Sequence, residues 1–271
     1  MKNGCLKMII LCFLSLLSSL GYAQIVQFFY ITEAYPDLKK RARHDGMVLN
    51  IDTKKNVSSF YSIIERRREE VKDSIFARGG NLGDVLSARE KLCRPGSFQY
   101  YEIYKNSPQK GEMVTIDKLW GYFRYTEKLE KPAWTITNEK KEILTYECQK
   151  ATANYFGRNW TAWFTLEIPV PEGPWKLYGL PGIILEASDA DRHYTFKCIS
   201  IKTSKSNKNI FPPNHRKYIK ISKKEYWKLH KEDATDPETF FKRNGMPYSR
   251  GWDMNGKPLP PRTVLYNPIE R

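Results

Sequence analysis

The residues able to do covalent or acid–base chemistry are few, and their spacing does not favour it. Four histidines occur: His44, His193, His215 and His230. A cysteine nucleophile at Cys93 would need one of them as its base, and none stands at a telling distance along the chain. Ser188, Asp189 and His193 form a local cluster. A serine nucleophile also needs a sharply held turn and an oxyanion hole, and no Gly-x-Ser-x-Gly occurs. Metal chemistry has little more support, because Cys-x-x-Cys and His-Glu-x-x-His spacings are missing. Glu186, Asp189 and Asp191 could hold Ca²⁺ weakly, but the same residue types are ordinary turn formers. Gly79-Gly80-Asn81-Leu82-Gly83 lacks the lysine of a phosphate-binding loop. Carboxylates that meet only in space are invisible at this level. The expectation is a non-catalytic protein with no metal site and no cofactor.

Binding chemistry is better represented. Residues 172–198 hold a proline-glycine turn among aromatic and apolar residues. Leu180 precedes Pro181 and is pushed towards an extended conformation. Pro181-Gly182 fits the centre of a type II turn, with Gly182 supplying the positive φ. Gly179 lets another backbone or a ring come close. Ile183-Ile184-Leu185 is a short apolar run suited to a strand covered on both faces. Asp189 to Arg192 turns the chain, and Tyr194 to Ile201 returns as the partner strand. Trp163, Trp175, Tyr178 and Leu180 could line a ligand or partner site along this hairpin, with Arg158 as its polar anchor. The competing reading is that Gly179, Leu180, Pro181 and Gly182 only make and pack the turn, and that the tryptophans are core.

Gly179-Leu180-Pro181-Gly182-Ile183-Ile184 resembles the signature hexapeptide of the GLPGLI family, exported proteins of Gram-negative bacteria with no assigned biochemical role. Ile183 stands where the family's name has Leu. Residues 146–151, 157–164 and 173–176 also resemble the family's pattern, as does the terminal Tyr266-Asn267-Pro268-Ile269-Glu270. The resemblance implies export and a mainly β fold, and it implies no reaction.

The N-terminus agrees with export. Lys2 and Lys7 precede an apolar run from Met8 to Leu20, and Gly21-Tyr22-Ala23 ends in small residues. Residues 1–23 are expected to be a signal peptide cleaved after Ala23, which places the mature chain in the periplasm or outside the cell. Cys93, Cys148 and Cys198 then remain in an oxidising compartment. Three pairings are possible. Cys148 with Cys198 is preferred because both fall in predicted strands flanking the hexapeptide; such a loop would contribute about 4 kcal/mol. The formal net charge of +15 favours anionic partners. An apolar or anionic amphiphile such as a lipid, or an envelope protein, fits an exported chain; nucleic acid does not. A monomer is expected.

Short segments of alternating polarity carry these residues. Strands are predicted at 47–52, 57–63, 100–104, 113–116, 121–126, 134–137 and 159–168, and at the alternating Leu144, Tyr146 and Cys148. A charged helix is expected over 64–77, and residues 138–141 read as a turn. The fold class is mainly β: a curved antiparallel sheet, open barrel or sandwich, with one or two short helices. A single domain over 24–243 is followed by an extended tail, 244–271, that is rich in proline.

Overall fold

Alternating burial along successive strands builds one sheet with a dry concave face. This is seen in a computed structural model that describes residues 25–92, 100–204, 210–249, 251, 254–255, 257–260 and 264–271. The predicted signal peptide and Cys93 lie outside the described residues. The strands are β1 (Ile25–Ala34), β2 (Arg43–Asp52), β3 (Val57–Ser62), β4 (Glu102–Lys105), β5 (Glu112–Lys118), β6 (Tyr122–Lys128), β7 (Thr135–Ile143), β8 (Tyr146–Tyr155), β9 (Arg158–Thr165), β10 (Ile183–Asp189), β11 (Tyr194–Ser204) and β12 (Tyr218–Lys220). They pair in the order β12-β6-β5-β4-β3-β2-β1-β11-β10-β9-β8-β7. Every pairing is antiparallel except that of β12 with β6. The strands form one large, open, non-closed sheet, in keeping with the expected curved antiparallel sheet.

The sheet curls strongly. Phe60 on β3 and Phe196 on β11 lie three strands apart, about 14 Å in a flat sheet, yet their ring centroids are 6.0 Å apart. Tyr30 on β1 donates its hydroxyl to the Ile184 carbonyl on β10 at 2.6 Å. Phe28, Tyr30, Leu49, Phe60, Trp160, Phe164 and Phe196 fill the concave side.

Four helices occur among the described residues, where one or two were expected. α1 (Ile63–Ala77) is capped by the Ser62 side chain, which accepts from the Glu65 backbone N–H. α2 (Leu82–Leu92) folds back on it through the Arg89–Glu69 ion pair at 2.9 Å. α1 also reaches the sheet by charge: Glu102 of β4 takes Arg66 at 2.7 Å, and Arg216 at 2.6 Å. α3 (Lys223–Thr235) begins with a Ser222–Glu225 capping box, and Tyr226 packs on Phe123 and Tyr125 of β6. α4 (Pro237–Arg243) starts with a proline in its first turn, where the missing N–H costs nothing, and the Asp236 side chain caps it.

Two further expectations are corrected. Residues 138–141 are not a turn; they continue β7, with a register shift between Ile136 and Lys140. β7 is an edge strand, where polar and charged residues protect against unwanted pairing. Cys148 and Cys198 are buried free thiols, not a disulfide. They sit on β8 and β11, with β9 and β10 between them. The Cys148 thiol donates to the Tyr146 carbonyl and the Cys198 thiol to the Ser200 carbonyl, each at 3.6 Å.

Residues 166–182 lie across the concave side and close it. Trp175, Leu177 and Leu180 are buried there. Ile183 donates its N–H to the Ile168 carbonyl at 3.1 Å, and Ile184 to that of Glu172 at 3.0 Å. The two hexapeptide glycines exchange their predicted roles. Gly179 supplies the positive φ, +89°, whereas Gly182 is the site of close approach: a Cβ there would lie 1.8 Å from the Thr165 carbonyl oxygen.

Gly182→Ala is therefore expected to give no soluble folded protein. Gly111→Ala, at φ +80° with nothing within 4 Å of the added Cβ, is expected to cost only the left-handed backbone penalty, about 1–2 kcal/mol. Urea denaturation of both variants checks this; a mild effect at Gly182 would contradict the assignment.

Candidate functional site

The residues expected to form a site on the signature hairpin are not brought together. Side chains alternate along β9, so Trp160, Ala162 and Phe164 face the core while Trp163 faces out. Trp163 lies beneath Lys141, whose Nζ is 4.4 Å from the ring centroid and also pairs with Glu186 at 2.7 Å. Trp175 is sealed in the core, 5.3 Å from the Trp160 ring. Leu180 is buried and Pro181 exposed, while Tyr178 and Gly179 are partly buried. The Tyr178 carbonyl accepts from Trp134 Nε1 at 2.9 Å.

Arg158 is a structural hub rather than a ligand anchor. Its Nη1 meets Asp189 Oδ2 at 2.6 Å, and its Nη2 meets Asn267 Oδ1 at 2.7 Å. Its Nε donates to the carbonyls of Pro268 and Ile269, at 3.2 and 3.1 Å. The guanidinium has little donor capacity left for a ligand. Asp189 is equally committed, because its Oδ1 accepts the Tyr194 N–H at 2.8 Å. Oxygens of Asp189 and Asp191 and a ring nitrogen of His193 lie within 4.8 Å of one another, but both Asp189 oxygens already have protein partners. Glu186, grouped with these acids in the sequence, is held by Lys141.

A cavity of about 670 Å³ opens instead where α3, α4 and the C-terminal tail meet the ends of β1, β2 and β5. Its size is within the range that holds one small ligand. Aromatic rings form part of the wall, among them Tyr101 before β4, Tyr194 opening β11 and Trp227 on α3. Asp117, near the end of β5, and Arg43, opening β2, bring charge to it. The tail is part of this wall and is firmly held. The Asn267 N–H donates to the Pro36 carbonyl at 2.9 Å, and Leu265 donates to Asp37 Oδ1 at 3.1 Å. Tyr194 donates its hydroxyl to the Asn267 carbonyl at 2.6 Å. Glu270 pairs with the buried Lys176 and with Lys223, each at 2.7 Å, and Glu127 meets the same two lysines. Residues 264–271, the described end of the tail, thus lie on the domain.

The cavity wall perturbs its titratable groups in opposite directions. Burial pushes the Asp117 carboxyl up to about 6, against the pull of the nearby Tyr226 hydroxyl and a bond from the Lys118 N–H at 2.7 Å. Burial also pushes His230 down to about 4, with Arg43 adding to the effect. His230 Nδ1 lies 2.7 Å from the Tyr266 hydroxyl. For Asp37, burial alone would raise the carboxyl, but the N–H groups of Lys39 and Leu265 and the Lys40 ammonium outweigh it and hold it below the usual range. Sequence reasoning missed Asp117, Trp227 and His230. The Ser-Lys-Lys-Glu capping box at 222–225 could have located α3. Nothing local marks Asp117 at the end of an ordinary strand.

Two predictions follow from these geometries. Arg158→Met leaves the Asp189 charge buried and unpaired, and should cost about 3–5 kcal/mol in urea denaturation; a loss below 1 kcal/mol would contradict the hub role. Asp117 has a folded pKa above its unfolded value, so its ionised form opposes folding at neutral pH, and that penalty fades as the pH falls through about 6. Asp117→Asn should therefore melt higher than the parent at pH 7.5, by an amount equivalent to about 2 kcal/mol, with the gap shrinking by pH 5. Because His230 acts in both proteins, comparing them at the same pH cancels its effect. Identical melting curves at both pH values would refute the assignment.

Residues 157–186 match the model of a family described as "Protein of unknown function (Porph_ging)", a short segment containing β9 and the hexapeptide. No curated protein sequence matches the chain. Among solved structures, the fold is similar to PNGF-II in two crystal forms. In the C2 form the TM-score is 0.51 at 14% identity, covering 78% of this chain and 34% of the other. In the P21 form the values are 0.49, 15%, 76% and 33%. The chain thus spans about a third of the length of PNGF-II. At that identity the likeness concerns the fold alone.

Proposed function

We propose that this chain is an exported, non-catalytic binding protein of the bacterial cell envelope, and that it holds an amphiphilic ligand in the cavity between α3, α4 and the tail. The observation that carries this reading is the cavity itself: about 670 Å³, walled in part by aromatic rings, with a carboxyl at its side. The likeness of residues 179–184 to the GLPGLI signature and the predicted signal peptide support export. The site differs from the one expected on the hairpin, because that hairpin packs the core. No helix of the described residues is long and apolar enough to cross a membrane. The alternative of a docking protein would use the Pro181-Gly182 turn and the tryptophans; Pro181 is exposed and Trp163 partly so, whereas Trp175 is 1% exposed.

A hydrolase of envelope material is the second reading. One carboxyl raised to about 6 at Asp117 and one lowered at Asp37, in the same cavity wall, form the divergent pair that acid–base catalysis uses. Against it, both backbone N–H groups on Asp37 Oδ1 belong to the structure that pins the tail.

Native mass spectrometry of the chain, purified without detergent from its own compartment, tests the binding reading. A bound mass is expected, and Ala234→Trp, which fills the cavity from α3, should remove it. A bare parent chain, or a bound mass that survives in Ala234→Trp, would count against the cavity.

A further inference from the structure

One cluster beside the cavity gathers more positive charge than it neutralises. Glu69, buried on α1, meets three cations: Lys72 one turn further on, Arg89 of α2 at 2.9 Å and Lys118 of β5 at 3.2 Å. Next to it, Glu102 takes both Arg66 and Arg216. The Tyr122 ring joins the two groups, with Lys72, Lys118 and Arg216 each within 5.6 Å of its centroid. Five cations thus share two carboxylates. Even with Asp73 counted, which lies 4.0 Å from Lys72 and also meets His215 at 2.8 Å, positive charge is left over.

That charge is within reach of solvent. The side chains of Lys72, Arg89 and Lys118 are 25%, 29% and 28% exposed, whereas that of Glu69 is 5% exposed. Arg89 Nη2 and Lys118 Nζ meet the same oxygen, Glu69 Oε1, so one further anion can bridge them. An ammonium has three N–H donors, and Lys118 gives one of them to Glu69. Like charges gathered in this way repel one another and oppose folding. A tetrahedral dianion fits the inventory, because it brings up to two negative charges and several acceptor oxygens. The cluster also borders the cavity, since Lys118 and the exposed Tyr100 line both, with Lys118 Nζ 5.9 Å from the Tyr100 ring centroid. Asp117 alternates to the opposite face of β5, which keeps its carboxylate out of the cluster.

We propose that Lys72, Arg89 and Lys118 bind the phosphate group of a phosphate monoester at the edge of the cavity. This names the head of the ligand, and it rests on the cavity reading above only for where the rest of that ligand lies.

Isothermal titration of the mature chain at pH 7.5 and fixed ionic strength tests it. The probes are inorganic phosphate, octyl phosphate, octyl sulfate and octyltrimethylammonium, the last three below their micelle concentrations. Octyl phosphate is expected to bind at least about tenfold more tightly than the singly charged octyl sulfate or the cationic probe. Lys118→Gln and Arg89→Gln each leave Glu69 with two cations, so the circular dichroism of the fold should persist. Each should weaken octyl phosphate about fivefold or more. Lys228→Gln removes an exposed charge from α3, outside the cluster, and should weaken it less than about twofold. Inorganic phosphate binding as tightly as octyl phosphate, with the same losses in Lys118→Gln and Arg89→Gln, would support the phosphate site with a soluble ligand and remove the cavity as the seat of a tail. Octyl sulfate or octyltrimethylammonium binding as tightly as octyl phosphate would overturn the phosphate site and leave the cavity reading standing. Equal losses in Lys228→Gln and Lys118→Gln, or no binding of either phosphate probe, would also overturn it.

Discussion

One buried ammonium ties the two halves of the sheet together. Lys105, on β4, is 1% exposed and spends all three of its donors on the segment that precedes β10. It meets Glu172 Oε2 at 2.8 Å, the Gly173 carbonyl at 3.3 Å and the Leu177 carbonyl at 3.4 Å. Burial depresses its pKa and Glu172 opposes that shift. A buried ion pair of this kind adds little net stability compared with a well-packed apolar pair, but removing one partner is costly. Its value here is positional. It fixes where residues 172–177 cross the concave face, and therefore where Trp175 and Leu180 are buried and where Gly182 meets Thr165.

The rest of the molecule follows from that closure. With residues 166–182 on the concave side, the hexapeptide becomes a sealed wall and Trp175 joins Trp160 in the core. The chain must then place any accessible concavity elsewhere, at the end of the sheet that this segment leaves uncovered. α3 comes down on Phe123 and Tyr125 there. The tail is drawn in by Arg158, Tyr194 and the Lys176–Glu270 pair. The cavity is the space these three groups enclose but do not fill.

Much of the sheet was legible because its strands obey simple alternation. Residues 57–63, 121–126 and 194–201 read as strands, and Asp189–Arg192 read as a turn. α1 was legible from its charge pattern and from the Gly79-Gly80 break. β7 was not, because an exposed edge strand carries turn-like residues such as Asn138 and Lys140. The hexapeptide pointed to the right segment with the wrong role: its glycines and tryptophan read equally well as a binding turn or as packing, and only the Thr165 carbonyl beside Gly182 decides. Parity along β9 already separated Trp163 from Trp160 and Phe164, a distinction that argues against a shared aromatic surface. The cavity was beyond reach. Asp117, Tyr194, Trp227 and Tyr266 come from four separate parts of the chain, and no local pattern joins them. The terminal Tyr-Asn-Pro-Ile-Glu segment, singled out by resemblance alone, proved to be part of the wall.

The account's central claim is that the hairpin is a structural closure and the cavity beside α3 is where a ligand sits. A crystal structure of the mature chain, purified without detergent from its own compartment with whatever ligand it carries, tests this most directly. The account predicts ligand density in the cavity beside α3, with Trp175 and Leu180 still buried. Density along Trp163 or the Pro181 turn, with the cavity empty, would contradict it.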